Sequence, residues 1–90
     1  MREIHAIVTG KVHGIGFRAK TKVYADALGV TGYVRNLSDG SVEICAQGSR
    51  EKLTLLIERV RRHFHPNIQD IHSIERTPTT HFTEFRITLA

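Results

Sequence analysis

The chain has one cysteine, Cys45, so no disulfide can form within it, and no apolar run approaches the ~20 residues that a membrane-spanning helix needs. The opening residues, Met-Arg-Glu-Ile-His, lack the apolar core of a secretory signal. A reducing, cytoplasmic setting with no membrane partner is therefore expected. Low-complexity tails, internal repeats and Pro/Gly/Ser linkers are missing too, so residues 1–90 read as a single domain. Neither sign of charge dominates: 13 Lys+Arg against 9 Asp+Glu leave +4. That balance favours anionic partners without choosing among nucleic acid, acidic surfaces and phosphorylated small molecules. The one basic cluster, Arg59, Arg61 and Arg62, falls late in an expected helix, where it complements the helix dipole. It is not read as a nucleic-acid patch.

What the sequence does have is the stretch from Gly10 to Arg18, Gly-Lys-Val-His-Gly-Ile-Gly-Phe-Arg, between a strand-like run and a helix-like one. Strand, short glycine-bearing loop and helix start together make a phosphate-binding geometry, because backbone N–H groups converge there on an anion. Gly14 and Gly16 permit positive φ and put no Cβ between backbone and ligand. Arg18 offers a planar fork of donors for two phosphate oxygens at once. Two familiar phosphate loops are excluded: no Gly-Lys-Ser/Thr ending makes a nucleotide P-loop, and no second glycine-spaced unit with a downstream acidic residue supports a dinucleotide fold. Nor does a cysteine precede the arginine in the loop, since Cys45 lies far along the chain.

In chain order, residues 3–9 alternate as a strand, with Ile4, Ala6 and Val8 on the clearly buried side. Phe17, Thr21, Tyr24 and Leu28 recur at helical spacing, with Ala25 and Ala27 filling between them, and Gly29 ends the run. Residues 30–37 and 41–46 read as a hairpin about Ser38-Asp39-Gly40. Ser49 caps a second helix carrying the stripe Leu53, Leu56, Ile57, Val60 and Phe64, which stops before Pro66. Residues 68–77 are strand-like, Pro78 marks a break, and Phe85, Ile87 and Leu89 alternate in a last strand. The order βαββαβ(β) predicts an α+β, ferredoxin-like sandwich, with two helices on one face of a mainly antiparallel four- to five-stranded sheet.

A second constellation sharpens the function. Gly32-Tyr33-Val34-Arg35-Asn36 is followed by Leu37-Ser38-Asp39-Gly40-Ser41-Val42 and then Gly48. With both stretches in place the chain resembles the acylphosphatase family, through its Gly-x-Val-x-Gly-x-x-Phe-Arg loop and its Gly-aromatic-Val-basic-Asn strand. The resemblance covers essentially the whole chain and makes it a single acylphosphatase-like domain.

The resemblance implies a metal-independent, cofactor-free hydrolase that cleaves acyl phosphates to a carboxylate and inorganic phosphate, with no covalent intermediate. By position, Arg18 and the loop from His13 through Gly14, Ile15, Gly16 and Phe17 would hold the phosphate, and Asn36 would position the attacking water. The expected partners are a small acyl phosphate substrate and inorganic phosphate as product and inhibitor, with no nucleic acid or membrane and a monomeric chain. The chemistry suits these residue types. A carboxylate leaves without a strong general acid, and phosphoryl transfer asks the protein mainly for positioning and charge stabilisation. Two departures stand out: His13 replaces the family's usual glutamine, with a ring able to donate to a phosphate oxygen, and the chain ends Thr88-Leu89-Ala90 where an aromatic residue is common.

Other readings compete. His13 as a phosphate-accepting nucleophile would make the mechanism two-step, but nothing in the sequence identifies a group to orient the ring. His63 and His65, two apart, do not share a helix face and read as solvated residues near a helix end. Cys45 should point away from the Val42 and Ile44 face as a packed or partly exposed thiol. From another class comes an RNA-binding ferredoxin-like module, against which the strand of residues 41–46 presents no aromatic for base stacking and Tyr33 stands alone. A further alternative is an inactive acylphosphatase-like domain, or one serving a larger carbamoyl-transferring assembly; the 90-residue length favours a free-standing enzyme.

Overall fold

The computed structural model describes residues 1–89. It runs β1 (Arg2–Gly10), α1 (Phe17–Leu28), β2 (Thr31–Asn36), β3 (Val42–Gly48), α2 (Arg50–Phe64), β4 (Ile68–Arg76) and β5 (Phe85–Ile87). The strands form one five-stranded sheet in the order β4-β1-β3-β2-β5. β3 lies antiparallel between β1 and β2, β4 is antiparallel to β1, and β5 adds to β2 in parallel. This is the expected ferredoxin-like α+β architecture with a fifth strand.

Register decides what faces the helices. Ile4, Ala6 and Val8 oppose Ala46, Ile44 and Val42, and Val34 opposes Ile44, so these apolar side chains share one face. Against it pack Phe17 and Ala25 of α1 and Leu53, Leu56, Val60 and Phe64 of α2, all buried. α1 ends as its glycine predicts. Gly29 adopts φ 69°, its amide donates to Asp26 O and that of Val30 to Ala25 O, the paired bonds of a Schellman motif. α2 starts on Ser49, whose side chain accepts from the Lys52 amide at 3.2 Å, and Arg61, Arg62 and His63 occupy its last turn.

The other sheet face is also closed at its centre, which alternation alone does not foresee. Glu3, Glu43, Cys45 and Gln47 are buried there. Glu43 is held by His5 Nε2 at 2.7 Å and Arg35 Nε at 2.5 Å, and Glu3 by Gln47 Nε2 at 2.8 Å and by Arg76. Residues 77–84 cross this face, fastened by Gln47, whose amide donates to Thr80 O and accepts from the Phe82 amide at 3.0 Å. Phe82 also packs edge-on against Tyr33, ring centroids 5.8 Å apart, so Tyr33 serves packing.

Two expectations are corrected. The last strand covers only Phe85–Ile87; Leu89 lies beyond it, 88% exposed, because β5 is an edge strand whose pairing to β2 ends at Val34 and Ile87. Ala90 lies outside the described residues. Ala27 is exposed and Ala25 alone fills the helix-sheet contact. Cys45 points away from Val42 and Ile44, as expected, and is packed, at 2% exposure.

Candidate active site

Three pieces of chain meet where β2 finishes: the loop of residues 11–16, the first turn of α1, and Asn36. The loop is tied down at its start. Val12 is buried in the core, the Lys11 amide donates to Asn67 O at 2.9 Å, and Asn67 Nδ2 donates back to Lys11 O at 3.2 Å. Beyond Val12, Gly14 and Gly16 take φ 73° and 78°. An added Cβ would meet nothing within 4 Å at either position, so left-handed backbone, not crowding, calls for glycine there.

Gly16 is also the N-cap of α1, and it supplies no side-chain cap to a first turn that has no acidic residue. The Lys20 amide donates to Gly16 O at 3.0 Å. Among the described residues, the amides from Gly14 to Ala19 ahead of it donate no hydrogen bond within the chain. Uncapped N–H groups at the positive end of a helix form an anion-binding geometry. Arg18 stands in that first turn, partly exposed. Among the described residues it pairs with no carboxylate, whereas Arg2, Arg35, Arg50, Arg76 and Arg86 each hold one.

Asn36 is the last residue of β2, opposite Val42 and on the same face as Val34, so alternation aims it toward the helix side. Its Oδ1 is buried and accepts no hydrogen bond from the described residues. Arg18 and Asn36 line one cavity of about 200 Å³ together with Gly14, Gly16, Val12 and Ile87. No Asp, Glu, His or Cys lines it. The volume is small beside the roughly 300–1,000 Å³ of sites that enclose drug-sized ligands, and it suits a single compact group.

Other residues of the expected set lie differently. The His13 ring is turned to the β2–β3 hairpin, its Nε2 2.8 Å from the Ser41 carbonyl oxygen. A carbonyl only accepts, so that nitrogen carries a proton, directed to the hairpin. Ile15 is exposed, and the Phe17 ring is buried against Phe64 with centroids 4.7 Å apart. His63 Nδ1 lies 3.2 Å from Tyr24 Oη, so it is exposed but not merely solvated. Among the described residues no three His, Cys, Asp or Glu side chains come together as a metal site, and no helix is long and apolar enough to cross a membrane. Ile87 in the cavity wall and the Ser41 carbonyl were not foreseen; the first depends on the parallel register of β5, which leaves no local signal.

A larger groove of about 340 Å³ runs between α2 and β4 over Ile4, Leu53 and Ile57. On its rim Arg50 and Glu75 pair at 3.0 Å, and Glu58 and Arg61 line it as well.

A sandwich of this topology with an open amide cradle and a free arginine at a helix start belongs to the class of small α+β phosphate-handling proteins. The sequence profile of the acylphosphatase family matches residues 4–87. The acylphosphatase of Methylococcus capsulatus is 38% identical over 97% of this chain and 96% of its own. Among solved structures, the acylphosphatase from Bacillus subtilis superposes with a TM-score of 0.92 at 32% identity, covering 98% of this chain and 99% of that one. HypF from T. kodakarensis superposes with a TM-score of 0.86 at 29% identity over 100% of this chain, which spans 12% of that longer one. The chain belongs to the acylphosphatase family, and it is an enzyme of the acylphosphatase type, a hydrolase of acyl phosphates.

Proposed function

We propose that the chain cleaves the carboxyl-phosphate bond by direct in-line attack of a water on phosphorus. Arg18 and the loop amides hold the phosphoryl group and Asn36 places the water. The observation that carries this reading is the shared cavity: free amides and an unpaired guanidinium on one wall, and a buried, unpaired amide oxygen on the other. A buried acceptor without a donor costs about 1–3 kcal/mol, so Asn36 Oδ1 gains from any O–H entering within reach of a small amide rotation. As the water oxygen bonds to phosphorus, the phosphorus bond to the acyl oxygen breaks and its electron pair leaves on the carboxylate. The water's protons remain with the phosphate product or pass to solvent. No side chain need abstract a proton, in keeping with a lining that holds no carboxylate, imidazole or thiol. Negative charge spreading over the phosphoryl oxygens is met by fixed donors, which is the main demand of such a reaction.

The test is hydrolysis of benzoyl phosphate with chelator present. Activity that resists chelator and is lost in both Arg18→Ala and Asn36→Ala supports the reading; near-normal turnover in either variant overturns it. A cytoplasmic setting, product inhibition by phosphate and a monomeric state belong to the same proposal.

A further inference from the structure

The Ser41 peptide is the point where the two halves of the cavity are joined. Its carbonyl accepts two hydrogen bonds, from the Leu37 amide at 2.9 Å and from His13 Nε2 at 2.8 Å. Leu37 directly follows Asn36, so the first bond fixes how the chain leaves β2 at Asn36. The second reaches from the loop that precedes Gly14, Gly16 and Arg18. Ser41 itself is held still. It is buried, and its amide and hydroxyl both donate to Asp39 Oδ1, at 3.0 and 2.5 Å. Those two bonds hold the Asp39 carboxyl below the usual carboxylate range, so it stays ionised and accepting at neutral pH.

We infer that His13 is a positioning residue, which sets the placement of Asn36 relative to the phosphate loop through the Ser41 carbonyl. This rests on the reading of Arg18 and Asn36 given above and adds a part that touches no substrate. The two walls of the cavity come from elements that do not follow each other in the sheet, because β3 lies between β1 and β2. Val12 packs in the core, and the hydrogen bonds between Lys11 and Asn67 fasten the start of the loop to the turn after α2 and do not link it to the hairpin. His13 provides that link. A donor on the ring is all the link needs, so the amide nitrogen of a glutamine can replace it and an alkyl side chain cannot. In-line attack depends steeply on the angle between water, phosphorus and leaving group. A shift near 1 Å costs on the order of 100-fold in rate.

The experiment compares wild type, His13→Ala and His13→Gln, with Asn36→Ala as reference. It measures kcat for benzoyl phosphate, competitive inhibition by inorganic phosphate, and hydrogen exchange of the Leu37 amide. His13→Ala is expected to lower kcat about tenfold or more while phosphate inhibition changes less than about threefold. Leu37 exchange should quicken in that variant, and His13→Gln should recover both kcat and slow exchange. Weaker phosphate inhibition in His13→Ala would make the ring a direct ligand and overturn the inference. So would lost thermal stability with kcat unchanged, or failure of glutamine to rescue. A wild-type His13 Nε2 that carries no proton near neutral pH, read from its nitrogen chemical shift, overturns it without any variant. Asn36→Ala at full turnover would instead unseat the water-positioning reading and with it the kinetic half of the inference, while Leu37 exchange still scores the link itself.

Discussion

Gln47 Nε2 donates to Glu3 Oε1 at 2.8 Å across the two central strands, on the sheet face that carries no helix. The same amide donates to Thr80 O and accepts from the Phe82 amide, so one side chain joins two strands and the segment crossing them. Gln47→Leu fits the space but leaves Thr80 O and Phe82 N–H without partners under cover. At about 1–3 kcal/mol for each buried unpaired group, a loss of roughly 2–4 kcal/mol is expected, read by chemical denaturation. Activity should be spared. Gln47 pairs with Thr31 and Val42 with Asn36, which puts five residue steps of β3, about 17 Å, between this point and the cavity. A stability loss under 1 kcal/mol would show the fastening to be idle.

Much of the helix side was legible because two periods agreed there: alternation in Ile4, Ala6 and Val8, and the helical stripe Leu53, Leu56, Val60 and Phe64 all point into one core. The loop and Asn36 were legible as residue types, Gly14, Gly16 and Arg18 above all. The opposite face was not. Residues 77–84, Thr-Pro-Thr-Thr-His-Phe-Thr-Glu, carry no period, and their placement depends on Gln47, some 30 residues earlier in the chain. For the same reason Cys45 and Tyr33 found covers that local pattern could not supply, while Leu89, in step with Phe85 and Ile87, has no neighbouring strand to bury it.

Acid should find the weak point of that polar face. For both Glu3 and Glu43 burial pushes the carboxyl pKa up, but hydrogen bonds from Gln47 and Arg76 to the first, and from His5 and Arg35 to the second, outweigh it and leave each below its ordinary 4.5. A carboxyl lowered by folding contributes stability that is complete above its unfolded value and disappears as pH falls through the folded one. Thermal stability should therefore hold down to about pH 4.5 and decline below it. Arg35 and Arg76 are 38% and 46% exposed, so solvent screening reduces what each pair is worth. Glu43→Gln is expected to cost about 1–2 kcal/mol at pH 7 and little near pH 3. A variant whose melting falls with acid as steeply as wild type would contradict this origin.

Cys45 should be chemically silent in the folded protein. Burial pushes its thiol up to about 11, with the Glu3 carboxylate adding to the rise. The thiolate is the reactive form, and at neutral pH almost none is present, on a side chain only 2% exposed. Iodoacetamide at pH 7.5 should label the native chain far more slowly than the chain in denaturant. Equal rates would mean that residues 77–84 open freely.

Two glycines separate crowding from conformation. At Gly32, φ 138°, an added Cβ would lie 1.9 Å from the Cys45 carbonyl oxygen in the neighbouring strand, so Gly32→Ala must move backbone, at a cost of about 3 kcal/mol or more. At Gly14, φ 73°, the space is open and Gly14→Ala meets only the left-handed backbone penalty of roughly 1–2 kcal/mol. The first variant should melt far below the second. In activity at low temperature the order should reverse, because Gly14 lines the cavity and Gly32 does not.

The sharpest test of the site is a split between two losses. Arg18 has no other employment among the described residues, so changing it to lysine disturbs no internal pair. Lysine keeps the charge but offers a point donor in place of a planar fork. Arg18→Lys is expected to lose about 100-fold or more in kcat/KM, with inhibition by inorganic phosphate weakened alongside, since the fork meets ground state and transition state alike. Asn36→Ala removes a group assigned to the water and not to the phosphate. Its kcat should fall by a similar factor while phosphate inhibition stays within about threefold of wild type. If both variants weakened phosphate inhibition equally, Asn36 would be a second ligand for the phosphoryl group, and the water would have to be placed by the backbone of the loop itself.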